Sequence, residues 1–336
     1  MANSTLKQIA AELGISVSTA SRAFNGKSVV SADTRKRVLE LAEKYSYTPN
    51  EVARSLQKCS TETIAVVLPD VSETFFGTIV KEIDRVVSKK GYMLLLADTQ
   101  ERSDKEKNYL DMLFKRQVDA LVLATVDIDG SSSLRFRESK KPVVFIDNVP
   151  QIHDADAVTI DNKQASFMAI EHLKSRGHKS VATIIGSETE TTGADRLFGY
   201  KEAVKQYGLT QDDRLIAFGD YKQESGYTAM KALIDRREQV PFSAVYVTSE
   251  NMTYGAIRAI KESGLSVPQD ISVLGFDIHS SDVLSELKIT SIRQPEKEIG
   301  VLVGEQLLRL LEKTDNRIGH IMLSPVLDEG DTVSFI

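Results

Sequence analysis

The sequence predicts an all-α helix-turn-helix head and a short following helix, joined to an α/β body of two parallel-sheet lobes. Three observations predict it. The run TLKQIAAELGISVSTASRAFNG, beginning at Thr5, carries two short helical patterns around a glycine turn. After Thr61 the rhythm changes to apolar strands alternating with amphipathic helices. That alternation restarts after Asp161, so the body divides into two similar halves.

In the head, Leu6, Ile9, Ala10 and Leu13 fall at helical spacing behind an N-cap at Thr5. Gly14 can take the backbone geometry of a tight turn, and Ile15 points inward. Ser16 caps a second helix, with Thr19 three residues on. Ala20 and Ala23 are small enough to let that helix lie close against the first. A third helix starts at Ser31 and Asp33 and buries Val38, Leu41, Ala42 and Tyr45, with Tyr47 closing it. Val17, Ser18 and Arg22 are left pointing outward. In a DNA major groove, Val17 suits a thymine methyl and Ser18 several base edges. Arg22 suits a fork onto guanine, worth roughly 1–3 kcal/mol of discrimination. Thr5, Ser16, Thr19, Ser21, Asn25 and Thr34 suit phosphate contact or support of the reading helix. The alternative for the serines is that they only cap and solvate a small bundle.

Pro49 suits a helix start, and residues 50–58 follow it. A helix this short is marginal alone in water, so it is expected to form against DNA or a partner. Its apolar set is Val52, Ala53 and Leu56. Asn50, Ala53 and Leu56 are the candidates for a minor groove, with Leu56 as a wedge between base steps. The competing reading is a linker helix packed on the body.

Charge follows the same division. The chain is net −6, but its first sixty residues hold nine Lys or Arg against five Asp or Glu. The other 276 hold 33 against 43, so a basic head sits on an acidic body. The single cysteine, Cys59, excludes an internal disulfide and a cysteine-rich metal site. No basic-then-apolar leader follows Met1 and no stretch is apolar for the roughly 18–20 residues of a membrane span, so a cytoplasmic protein without membrane contact is expected.

In the body, strands are expected over 64–69, 92–97, 120–124 and 143–147, with helices over 75–89 and 105–115 between them. The second half gives helices over 165–173, 196–207, 224–233 and 254–262, and strands over 180–185, 214–218, 244–247 and 271–276. Two such lobes joined by a hinge place strand exits at an interlobe cleft, where open sheets bind ligands. The polar strand-exit residues are Asp70, Ser72, Asp147, Arg196, Ser249, Glu250 and Asp277, with Phe75 and Phe76 as an apolar face for a sugar ring. Arg196 and Asp277 form the pair best suited to polar ligand contact. The competing readings are that Asp70 and Asp277 cap the next helix, that Arg196 forms an ordinary salt bridge, and that the phenylalanines belong to the core. There is no phosphate-binding lysine loop, no G-x-S-x-G elbow and no histidine pair at zinc spacing. An enzyme is not expected, nor a cofactor or a metal.

Taken together, TLKQIAAELGISVSTASRAFNG, YTPNEVARSL, the run from Pro69-Asp70, DRLFGY at 195–200 and GFD at 275–277 resemble the LacI/GalR family of bacterial transcription regulators over essentially the whole chain. The resemblance implies a body like the periplasmic sugar-binding proteins, crossed three times between its lobes. It divides the chain into a head of 1–49, a hinge helix and linker of 50–60, a DNA-proximal lobe of 61–160 plus 293–323, and a distal lobe of 161–292 plus 324–336. It implies that Val17, Ser18 and Arg22 read bases and that Leu56 is the intercalating leucine. Arg196 and Asp277 match the family's effector-contacting arginine and aspartate. Asp147, Ser72 and Phe76 fall at or near other pocket positions.

The implied partners are pseudo-palindromic operator DNA, a second copy of the chain, and a carbohydrate or sugar-phosphate effector. No leucine-heptad tail follows the body, so a dimer is implied rather than a tetramer. Thr248-Ser249-Glu250 stands where Ala-Asn-Asp is usual, so the sugar's identity does not carry over. A repressor released by its effector is the leading reading. A regulator of the same fold that needs a corepressor or a partner protein stays open; a solute-binding protein fits much less well, and an enzyme fits least.

Overall fold

The computed structural model describes residues 6–24, 30–47, 60–152, 154–279, 287–313 and 319–336. Thr5, Asn25, Asn50, Ala53, Leu56 and Cys59 lie outside them. The chain forms two compact units, 1–61 and 62–336.

The first unit is a three-helix head of Leu6–Leu13, Val17–Phe24 and Ala32–Lys44. Ile9, Ala23, Val38 and Ala42 form its core, and Leu6, Leu13, Ile15, Leu41 and Tyr45 pack around it. Gly14 sits at φ +66°, in the left-handed region that reverses the chain after the first helix. Ser16 Oγ accepts the Thr19 N–H at 3.1 Å and starts the second helix. Ala20 and Ala23 are fully buried, so the two short helices meet closely. At the end of the head Tyr47 packs edge-on against Phe24, ring centres 5.6 Å apart.

The second unit contains two six-stranded sheets. The first has the order β11-β5-β4-β3-β1-β2, built from Thr63–Leu68 (β1), Met93–Asp98 (β2), Ala120–Leu123 (β3), Val143–Ile146 (β4), Asp156–Ile160 (β5) and His320–Leu323 (β11). Every neighbouring pair in it is parallel. The second has the order β12-β10-β9-β8-β6-β7, built from Val181–Ile185 (β6), Ile216–Phe218 (β7), Ala244–Val247 (β8), Ser272–Phe276 (β9), Thr290–Arg293 (β10) and Val326–Asp328 (β12). Here only β12 is antiparallel, to β10. Central strands such as β3, β4, β6 and β8 are buried along their whole length, because helices cover both faces of a parallel sheet. The chain passes between the sheets after β5, after β10 and after β11.

The helix Glu296–Glu312 returns the chain to the first sheet and packs along Thr74–Val87. Gly300 and Gly304 make that approach possible: a Cβ at 300 would lie 2.7 Å from the Ile79 carbonyl oxygen, and one at 304 would lie 2.8 Å from Val86 Cβ. The strand expected over 214–218 starts only at Ile216. Asp212 accepts the Arg214 N–H at 2.9 Å and winds Asp213–Leu215 into a 3-10 turn. Among the described residues, no helix is long and apolar enough to cross a membrane.

Candidate functional site

The outer face of the second head helix carries Val17, Ser18 and Arg22 in exposed positions, Val17 at 42%. Ser16 Oγ lies 2.8 Å from both Ser18 Oγ and Thr19 Oγ1, so these three hydroxyls form one cluster at the helix N-terminus. Thr34 is also engaged locally, 2.8 Å from Ser31 Oγ, which caps the third helix. Ser21 is partly buried on the reading helix. Ser16 and Ser31 therefore cap their helices, while Val17, Ser18 and Arg22 stay exposed on the outer face of the second helix.

The body holds a cleft of about 290 Å³ at the carboxyl ends of both sheets. The first sheet contributes Asp70 and Glu73 after β1, Glu101 after β2, Val126 after β3, and Asp147 and Asn148 after β4. The second contributes Glu190, Thr192 and Arg196 after β6, Tyr221 after β7, Ser249 and Glu250 after β8, and Asp277 after β9. Ser72, Phe75, Phe76, Phe276 and Gln294 complete the walls. The cleft thus brings together all six pocket residues expected from sequence: Ser72, Phe76, Asp147, Arg196, Ser249 and Asp277.

Their environments differ. Arg196 is only 5% exposed. Its Nε donates to Asn162 Oδ1 and one Nη1–H to the Thr248 carbonyl, each at 2.8 Å. Its guanidinium lies 3.8 Å over the centre of the Phe276 ring. Asp277 accepts from the Gln294 backbone N–H at 2.8 Å and from Gln294 Nε2 at 2.7 Å. Burial pushes Asp277 up to about 6, against the lowering effects of Gln294 and Arg196. Asp147 accepts no hydrogen bond among the described residues. Burial raises its pKa, while Arg196 draws it back. Asp147 and Asp277 both hold left-handed backbone, φ +59° and +52°, which aspartate tolerates better than most side chains.

Ser249 lines the cleft, but its hydroxyl accepts the Met252 N–H at 3.3 Å and caps Glu250–Glu262. Ser72 donates its hydroxyl to Asp70 Oδ1 at 2.7 Å, and Asp70 also accepts the Ser72 N–H. Asp70 therefore shapes a turn and caps no helix, and Asp277 is spent on Gln294. Phe76 is 2% exposed and belongs to the main core, with only its edge toward the cleft.

Sequence reasoning missed the residues that fasten the lobes together and those that orient the pair. Asn148, from the first lobe, donates to Glu190 at 3.0 Å and accepts from Thr191 Oγ1 at 3.1 Å and Thr192 N at 3.2 Å. Lys222 reaches Glu101 at 3.2 Å. His279 joins Glu250 at 3.2 Å and Glu296 at 2.8 Å, linking the lobe of the second sheet to the helix packed on the first. Burial alone would lower His279, but these two glutamates carry it up to about 10. Glu73 is pushed up to about 8 by burial, reinforced by Asp147, Asp70, Glu101 and Asp277. Glu190 rises to about 6, mainly through burial. The available signal for Glu73 and Glu101 was their place directly after strands; Asn162 and Gln294 carried none, because they act through Arg196 and Asp277.

Residues 61–324 match the family model described as "Periplasmic binding proteins and sugar binding domain of LacI family". Residues 5–50 match that of "Bacterial regulatory proteins, lacI family". The chain is 32% identical over 316 residues to Catabolite control protein A of Priestia megaterium, covering 94% of this chain and 93% of that one. A solved complex of the transcriptional regulator CelR with cellobiose superposes with a TM-score of 0.75 at 27% identity, covering 98% and 99% of the two chains. The lac repressor dimer bound to operator and the anti-inducer ONPF gives a TM-score of 0.86 at 24% identity over 98% and 99%, a likeness of fold. A helix-turn-helix head, a body of two parallel-dominated sheets and these matches along nearly the whole length agree: the chain belongs to the LacI family of bacterial regulatory proteins and is a DNA-binding transcriptional regulator.

Proposed function

We propose that the protein is a homodimeric repressor of carbohydrate-utilisation genes, released from a pseudo-palindromic operator by a small sugar-like effector held between the body's lobes. The observation that carries this reading is the cleft itself. Strand exits from both sheets converge on it, and Arg196 and Asp277 are buried there with their orientations fixed by Asn162, Thr248 and Gln294. A ligand touching both lobes changes their relative energy, which is the requirement for a conformational switch. The cellobiose bound to CelR supports a sugar-like occupant.

In this reading 1–49 is the head, 50–60 the hinge, 61–160 plus 293–323 the DNA-proximal lobe, and 161–292 plus 324–336 the distal lobe. Val17, Ser18 and Arg22 read bases in the major groove. Asn50, Ala53 and Leu56 enter the minor groove, where paired Leu56 wedges bend the duplex. The protein works in the cytoplasm, on the nucleoid when bound, without catalysis. Ligand binding separates the hinge helices of the two copies, and their shared groove contacts are lost. Screening sugars for a thermal shift of the full chain, then titrating operator with and without each hit at fixed salt, tests this. Release of operator is expected. Tighter operator binding would instead give the ligand the opposite sign, that of a corepressor.

A further inference from the structure

Among the described residues, the cleft is lined by seven carboxylates, Asp70, Glu73, Glu101, Asp147, Glu190, Glu250 and Asp277, and by a single cationic side chain, Arg196. Several of these acids are already answered. Glu101 has Lys222, Glu250 has His279 and the Tyr254 hydroxyl, and Asp277 has Gln294. Glu73 and Asp147 are not: neither accepts a hydrogen bond among the described residues. The carboxylates do not gather into a group able to hold a metal ion among the described residues. The cleft suits an organic group that donates to carboxylates and fits about 290 Å³.

Charge decides which group. A phosphate or carboxylate ligand would enter a field set by seven acids in a partly desolvated cleft, where like charges repel far more than in water. A neutral polyol can fill the space and use Arg196 and Asp277, but it leaves Glu73 holding the proton that burial and the nearby Asp147 charge impose on it. An ammonium group bound by Glu73 and Asp147 lets Glu73 ionise and makes charge-assisted hydrogen bonds to both.

We infer that the effector is a hydroxylated primary amine of monosaccharide size, the amino-sugar class, with its ammonium group on Glu73 and Asp147 and its hydroxyls toward Arg196 and Asp277. This rests on the reading of the cleft as the effector site. The high proton affinity of Glu73 agrees with it: burial and four neighbouring carboxylates, Asp147, Asp70, Glu101 and Asp277, hold it at about 8 until a cation arrives.

The test is calorimetric titration of the full-length protein at pH 7 with D-glucosamine, N-acetyl-D-glucosamine, D-glucose and D-glucose 6-phosphate. D-glucosamine should bind roughly ten-fold or more tighter than the acetylated or neutral sugar, the scale of one charge-assisted hydrogen bond, and the phosphate more weakly still. In Glu73→Gln and Asp147→Asn the amine should lose that advantage, so that D-glucosamine and D-glucose bind alike. Equal binding of amine and neutral sugar, tighter binding of the phosphate, or no detectable D-glucosamine binding at millimolar concentration overturns the inference. An operator titration run beside it keeps the two readings apart. Amine-selective binding that leaves operator affinity unchanged sinks the regulatory role of the cleft and spares the assignment of ligand class.

Discussion

Arg196 and Asp277 show how buried polar residues are oriented by their neighbours. Neither contacts the other in a direct ion pair among the described residues; each is aimed by a separate partner, Asn162 with the Thr248 carbonyl for one and Gln294 for the other. Replacing Asp277 by alanine would also strain its left-handed backbone, whereas asparagine fits it. Asp277→Asn should therefore keep the fold and operator affinity but weaken effector binding roughly ten-fold, as calorimetry and an operator titration on one preparation would show. Glu73 gives a pH signature. Its folded pKa, about 8, lies above the ordinary value of 4.5, so the folded state binds the extra proton between the two. Its contribution to stability is thus greatest below 4.5, declines as pH rises through that window, and is lost above 8. His279 also weakens the fold as pH rises, but from 6.5 toward 10, so the two windows overlap. Glu73→Gln should flatten the fall in urea midpoint between pH 4.5 and 8 relative to the wild type. An unchanged slope would remove Glu73 from the account. Arg196 and Asp277 were legible in sequence because they stand within DRLFGY and GFD. Asn148 and Gln294 were not, since their partners come from the other lobe or from across a crossover.

Elements with a strong apolar rhythm were read correctly as strands or helices, whereas those defined by long-range pairing were not. The strands β5, β10, β11 and β12 and the helices Leu134–Glu138 and Glu296–Glu312 went unread. β11 is half exposed and exists because it pairs with β5 across about 160 residues of chain; β12 is three residues paired antiparallel to β10. The 296–312 helix depends on two glycines that lower helix propensity yet allow close packing on Thr74–Val87. Gly300→Ala should cost about 1–3 kcal/mol, because the new methyl meets backbone at Ile79, and thermal unfolding would measure it. The His279 clasp ties the same helix to the lobe of the second sheet through Glu250 and Glu296, whose side chains are 21% and 9% exposed. Removing the imidazole leaves two partly buried carboxylates without their shared cation. His279→Ala should destabilise the body by about 3 kcal/mol. A loss below half a kcal/mol would mean that water answers both glutamates.

At the scale of the whole molecule, the basic head and acidic body divide the work: phosphate contact at one end, and a ligand cleft of opposite charge at the other. Coupling between operator and effector must be reciprocal, so operator should weaken effector binding by the same factor by which effector weakens operator binding. On the proposed reading of Leu56 as a minor-groove wedge, Leu56→Ala should lower specific operator affinity while leaving body stability and effector affinity unchanged. Fluorescence anisotropy on a labelled operator reads the first quantity, and thermal unfolding with calorimetry the other two. The most direct measurement is the operator dissociation constant of the full-length protein at fixed salt, with and without a saturating cleft ligand, in wild type and in Asp277→Asn. The account predicts a clear loss of operator affinity in the wild type and almost none in the variant at the same ligand concentration. Identical operator affinity with and without ligand in the wild type would contradict it.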